Sequence, residues 1–75
     1  MIKEEVFFQK IGKRLTQLRK QAGYTSQDAL ADDIGIAKGQ YSRYEVGGNF
    51  TMETFYKILH FYKITAKEFF GEGFE

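Results

Sequence analysis

Ser26-Gln27-Asp28-Ala29-Leu30-Ala31-Asp32-Asp33-Ile34-Gly35-Ile36-Ala37-Lys38-Gly39-Gln40-Tyr41-Ser42-Arg43-Tyr44-Glu45-Val46-Gly47 is the stretch whose reading decides the fold. Ser26 has the chemistry of a helix N-cap, because its hydroxyl can accept a bond from an orphan amide of the next turn. The helix it opens runs from Gln27 to Ile34 and carries Leu30, Ala31 and Ile34 as an apolar stripe. Gly35 ends that helix. After Ile36 a further short helix covers Lys38 to Val46, with Tyr41, Tyr44 and Glu45 on one side and a polar surface on the other. Ala31 is small where the two helices must cross closely, and Gly35 follows four residues later in the turn. Gly47-Gly48-Asn49 then breaks the chain.

Upstream, Val6/Phe7, Ile11, Leu15, Leu18 and Ala22 recur at three- and four-residue steps, which predicts a helix from about Lys3 to Ala22. Gly23 follows as a natural left-handed terminator. Downstream, Thr51 can cap a helix in which Phe55, Ile58, Leu59 and Tyr62 share one face. Thr65-Ala66-Lys67-Glu68 has capping-box spacing, so a fifth short helix carries Phe69 and Phe70. No stretch alternates apolar and polar residues over a useful length. The expectation is an all-α chain of five helices.

The 75 residues suit one domain, 1–75, with hydrophobic residues at 43% and charged residues at 28%. A core this small is marginal, and eight Phe and five Tyr compensate by burying large areas. The chain has no proline and no cysteine, which excludes disulfides and thiolate metal sites and suits a reducing cytoplasm. The longest apolar runs are two or three residues, too short for a membrane span or the apolar core of a secretory signal. Net charge is +1, unevenly spread. Residues 1–27 hold six basic residues (Lys3, Lys10, Lys13, Arg14, Arg19, Lys20) against Glu4 and Glu5, or +4. Residues 28–75 hold five basic and eight acidic residues, or −3. Such polarity is compatible with a polyanionic partner and equally with an ordinary solvated helix face.

Catalysis finds little support. His60 is the one histidine, on the polar side of its helix. The carboxylate pairs Glu4-Glu5 and Asp32-Asp33 are sequence neighbours, so on a helix they point apart and cannot share a proton. Gly47-Gly48 lacks the Lys-Ser/Thr signature of a phosphate loop. The reading is of a non-enzyme with no catalytic residue, cofactor, metal or evident small-molecule ligand.

Two short helices joined by a glycine turn make a helix-turn-helix unit, here about 27–46, whose second helix is sized for the major groove of B-DNA. Ile11-x3-Leu15-x2-Leu18-Arg19, Ser26-Gln27-Asp28-Ala29-Leu30-Ala31, Ile34-Gly35-Ile36 and Tyr41-Ser42-Arg43-Tyr44-Glu45, in this order, resemble the phage Cro and repressor type helix-turn-helix family, also called the XRE family. The resemblance covers roughly Ile11 to Phe70. It implies a compact five-helix, lambda-repressor-like DNA-binding domain that docks its third helix in the major groove of double-stranded DNA. It also implies a homodimer on a pseudo-palindromic operator. The implied function is a sequence-specific transcriptional regulator of repressor type. The alternative is an antitoxin-like protein-interaction module that keeps the fold and reads DNA weakly or not at all.

By position, the resemblance places Gln27 at a backbone phosphate, Lys38, Gly39, Ser42 and Arg43 at base edges, and Asn49 in a loop that reaches a base or phosphate. Gln40 can face either way. Arg19 and Glu45 stand where the family pairs an Arg late in helix 1 with a Glu ending helix 3. Several residues depart from the pattern. Ala37 replaces the usual capping Ser or Thr, Gly39 a polar reader, and Val46 a polar or basic residue. Gly39 implies either close backbone approach to DNA or weak discrimination. Lys63 stands where the family has glycine, predicting either a positive φ there or a helix end shifted by one residue. Tyr41 and Tyr44 are expected in the core, with hydroxyls reaching the rim. Phe69, Phe70 and Phe74 are expected to exceed what the chain can cover, so that at least one packs across a two-fold axis. The other arrangement folds all three back onto the first helix, against Phe7 or Phe8.

Overall fold

The computed structural model describes residues 3–71 and Phe74. Its elements are α1 (Glu4–Gln21), α2 (Gln27–Ile34), α3 (Lys38–Glu45), α4 (Met52–Tyr62) and α5 (Ala66–Phe69), with no strand among the described residues. Helix ends differ from the sequence expectation by a residue at α1 and α3 and otherwise follow the capping chemistry.

α1 has Glu4 and Glu5 in its first turn and Arg19 and Lys20 in its last, the polarity that suits the helix dipole. It closes at Gly23, φ +89°, where the Gly23 amide bonds the Lys20 carbonyl. Ser26 Oγ accepts the Asp28 and Ala29 amides at 3.1 and 3.2 Å and starts α2. Gly35 ends α2 at φ +91°, and its amide and that of Ile36 both bond the Ala31 carbonyl at 2.9 Å. That left-handed turn re-aims the chain into α3 within three residues, and a Cβ would strain it. α3 starts at Ala37 with no side-chain cap. Thr51 Oγ1 accepts the Thr54 amide to start α4. The reciprocal bonds of Thr65 and Glu68 form the capping box of α5.

Ile11, Leu15 and Leu18 of α1, Leu30 and Ala31 of α2, Tyr41 and Tyr44 of α3, and Phe55 and Ile58 of α4 make the core. α1 lies directly on α3. A Cβ on Gly12 would sit 2.3 Å from the Glu45 carbonyl oxygen and 3.0 Å from that of Tyr44, so the helices approach to backbone contact at that point.

At least one of Phe69, Phe70 and Phe74 was expected to pack across a two-fold axis; within the chain the three rings take the other arrangement, folded back toward the first helix, with Phe70 and Phe74 half-buried. Phe69 is fully buried, edge-on to Phe55 at 5.1 Å. Phe70 stacks on Phe7 at 6.3 Å, and Phe74 meets Phe7 at 6.0 Å and Phe70 at 4.8 Å. α5 folds back because Arg14 of α1 reaches its last carbonyls: Nε donates to Phe69 O at 2.9 Å and Nη2 to Glu68 O at 3.1 Å. The same guanidinium lies 5.8 Å from the Phe69 ring centroid. The aromatic N-terminal half of α1 thus covers the C-terminal rings within one chain.

Candidate nucleic-acid interface

At 1.5 Å per residue, α3 is about 12 Å long. Tyr41 and Tyr44 hold its inner face, so its outward meridian runs through Gly39 and Arg43. Lys38 and Ser42 border one edge and Gln40 the other. Lys38, Gly39, Gln40 and Arg43 are exposed and Ser42 is half-buried. Arg43 makes no ion pair among the described residues. The Lys38 ammonium stands 3.6 Å from the Asp32 carboxylate, an exposed pair that solvent weakens. Open space surrounds Gly39: a Cβ there would meet nothing within 4 Å. The chain's own packing therefore gives no reason for that glycine.

The rear of α3 is locked by Glu45, whose side chain is 4% exposed. Arg19, itself 9% exposed, donates from Nε to Glu45 Oε2 at 2.8 Å and from Nη2 to Oε1 at 3.4 Å. Thr16 Oγ1 donates to Oε1 at 2.9 Å and Gln27 Nε2 at 2.8 Å. Arg19 Nη1 also bonds the Tyr24 carbonyl at 3.0 Å, tying in the α1–α2 loop. Burial alone would raise the Glu45 carboxyl, but the donors, Arg19 foremost, outweigh it and hold the group below its usual range. The hydrogen bond to Glu45 likewise raises Arg19 against the opposing effect of burial. The Tyr41 hydroxyl, expected at the rim, is instead buried near this pair, as is that of Tyr62. Burial first, then interaction with the Glu45 carboxylate, pushes both phenols up, Tyr62 to about 12.

The structure therefore brings Arg19, Gln27 and Glu45 into one cluster, together with Thr16, which the sequence did not point to. Gln27, the first residue of α2, turns one amide hydrogen inward to Glu45. Asn49 is exposed in the loop between α3 and α4, apart from that cluster. Val46 caps α3, 78% exposed, beside a shallow groove lined by Glu4, Glu5, Phe8 and Gln9. Arg14, counted with the basic surplus of the first 27 residues, is turned onto α5. Thr16 and Gly12 leave a trace in sequence only as small residues on the inner face of α1; nothing local says what they meet.

Among the described residues no helix is long and apolar enough to cross a membrane, and no cluster of three or more His, Asp or Glu could hold a metal. Comparison with curated proteins finds no match. The family described as Helix-turn-helix domain matches residues 12–71, from the glycine of the α1–α3 contact to the second residue past α5. With the α2–Gly35–α3 unit at its centre, the chain belongs to the helix-turn-helix domain family.

Proposed function

We propose that the chain is a sequence-specific DNA-binding transcriptional regulator of the phage Cro and repressor type, acting as a repressor. α3 enters the major groove of a pseudo-palindromic operator, bound by a homodimer. Arg43 and Lys38 are its cationic readers, Ser42 and Gln40 add polar contacts, and the bare Gly39 lets the helix sit close. Gln27 at the start of α2, and Asn49, supply contacts to phosphate or base that set the register. The observation that carries this reading is the outward face of α3. It joins an exposed, unpaired Arg43 to an unfilled Gly39, on a helix anchored from behind by Arg19 and Glu45.

The second reading, an antitoxin-like protein-interaction module, draws on Val46 and on the inward turn of Arg14 and Arg19, which leaves the surface less basic than the sequence suggests. A DNA-binding titration over a range of salt concentrations separates the two. The DNA reader loses affinity with a log–log slope of about −0.9 per phosphate contact. Arg43→Ala then relaxes the sequence selected from a random DNA pool, with a cost of about 1–3 kcal/mol for a bidentate base contact. A chain whose DNA affinity is negligible, or indifferent to salt, is not this regulator.

A further inference from the structure

Of the C-terminal rings Phe69 is buried and Phe70 and Phe74 are half-buried against the core, and the large apolar side chains that are most exposed lie elsewhere. Two of them, Met52 at 77% and Tyr56 at 64%, stand one helical turn apart on α4. His60, one turn further, stacks on Tyr56 with ring centroids 5.8 Å apart and planes 16° from parallel. Met52, Tyr56 and His60 thus form a slightly inclined stripe at i, i+4 and i+8 along an exposed flank of α4, beside the face that buries Phe55 and Ile58. Glu53 and Lys57 run along one edge of the stripe, both exposed and neither in an ion pair among the described residues.

We propose that this stripe is the surface on which a second copy of the chain docks, α4 against antiparallel α4 about a two-fold axis level with Phe55, midway between Glu53 and Lys57. The edge charges favour a second copy over a foreign partner. When two antiparallel helices are related by a two-fold axis, each edge faces its own counterpart running the other way. Glu53 then lies opposite the partner subunit's Lys57, and Lys57 opposite the partner subunit's Glu53. The pattern is complementary to itself, and a parallel pairing would set like charges together. Three side chains cover much less than the roughly 800 Å² per partner of a standard interface, so the free dimer is weak and forms at high protein concentration. The inference deepens the homodimer part of the proposed function and is independent of whether α3 reads DNA.

Sedimentation velocity without DNA tests it through charge reversal, with circular dichroism to verify that each variant is folded. Wild type shifts from monomer to dimer as concentration rises toward millimolar. E53K and K57E each set like charges opposite one another and stay monomeric where wild type is dimeric. An equimolar mixture of the two restores both attractive contacts and sediments as a dimer, and so does the double variant E53K/K57E. A wild type monomeric at millimolar concentration overturns the proposal and leaves the face to a foreign partner. Single reversals that dimerise as well as wild type also overturn it, as does a mixture of folded E53K and K57E that does not associate. The salt titration fails or succeeds separately, so loss of DNA reading is not mistaken for loss of this surface.

Discussion

Lys63 ends α4 at φ 56° and ψ 43°, and among the described residues it is the one non-glycine with a positive φ. Its Cβ crowds the following carbonyl there, a cost of roughly 1 kcal/mol that glycine does not carry. Lys63→Gly is therefore expected to raise the unfolding free energy by about that amount, read as a higher urea midpoint, since the side chain is exposed and gives up no packing. Gly12 is the opposite case. Its φ is ordinary for a helix, and alanine would be the better helix former. Yet a Cβ would stand 2.3 Å from the Glu45 carbonyl oxygen, and backbone cannot step aside cheaply. Gly12→Ala is expected to destabilise by about 1–3 kcal/mol by forcing α1 off α3, read as a lowered thermal midpoint. Two glycine-related positions thus have opposite signs, and only one of them follows from local conformation.

At the scale of elements, α3 is poorly equipped to hold itself in place. It is eight residues long, lacks a side-chain cap and includes a glycine in its first turn. Its position depends on what it packs against, and Glu45 is the polar part of that anchor. Arg19→Met leaves a nearly buried carboxylate without its cation, and the expected loss is about 3–5 kcal/mol in chemical denaturation. The pH dependence has a definite sign. The Glu45 carboxyl is held below its unfolded value of about 4.3, so its contribution is complete above that pH and is lost as pH falls through the folded value. Urea midpoints measured downward from neutrality are expected to fall below about pH 4.3. Glu45→Gln should flatten that fall while lowering stability at neutral pH.

At the scale of the whole molecule, the aromatic side chains link the ends of the chain. Phe69 sits between Phe55 of α4 and the C-terminal rings, with Arg14 across its face. Phe69→Ala is expected to cost about 3–5 kcal/mol, a large share of what a small domain has, and to expose hydrophobic surface detectable by dye binding. The five helices, the caps at Ser26 and Thr51, the capping box at Thr65 and the turn at Gly35 were legible in sequence. Each depends on residues within four positions of one another, the range over which backbone hydrogen bonds and side-chain caps act. The outward face of α3 was legible for the same reason, because helical periodicity assigns it once Tyr41 and Tyr44 are placed inside. Gln27's inward bond, Thr16's share in the Glu45 cluster, the close approach at Gly12 and the return of Phe70 and Phe74 onto Phe7 were decided only by the tertiary structure. They join positions 18 to 67 residues apart, and which side chains meet there depends on how α1 lies across α3 and α5. Sequence by itself determined the elements and the face α3 turns outward; long-range packing determined which polar and aromatic groups are used up inside the chain and which stay free for a partner.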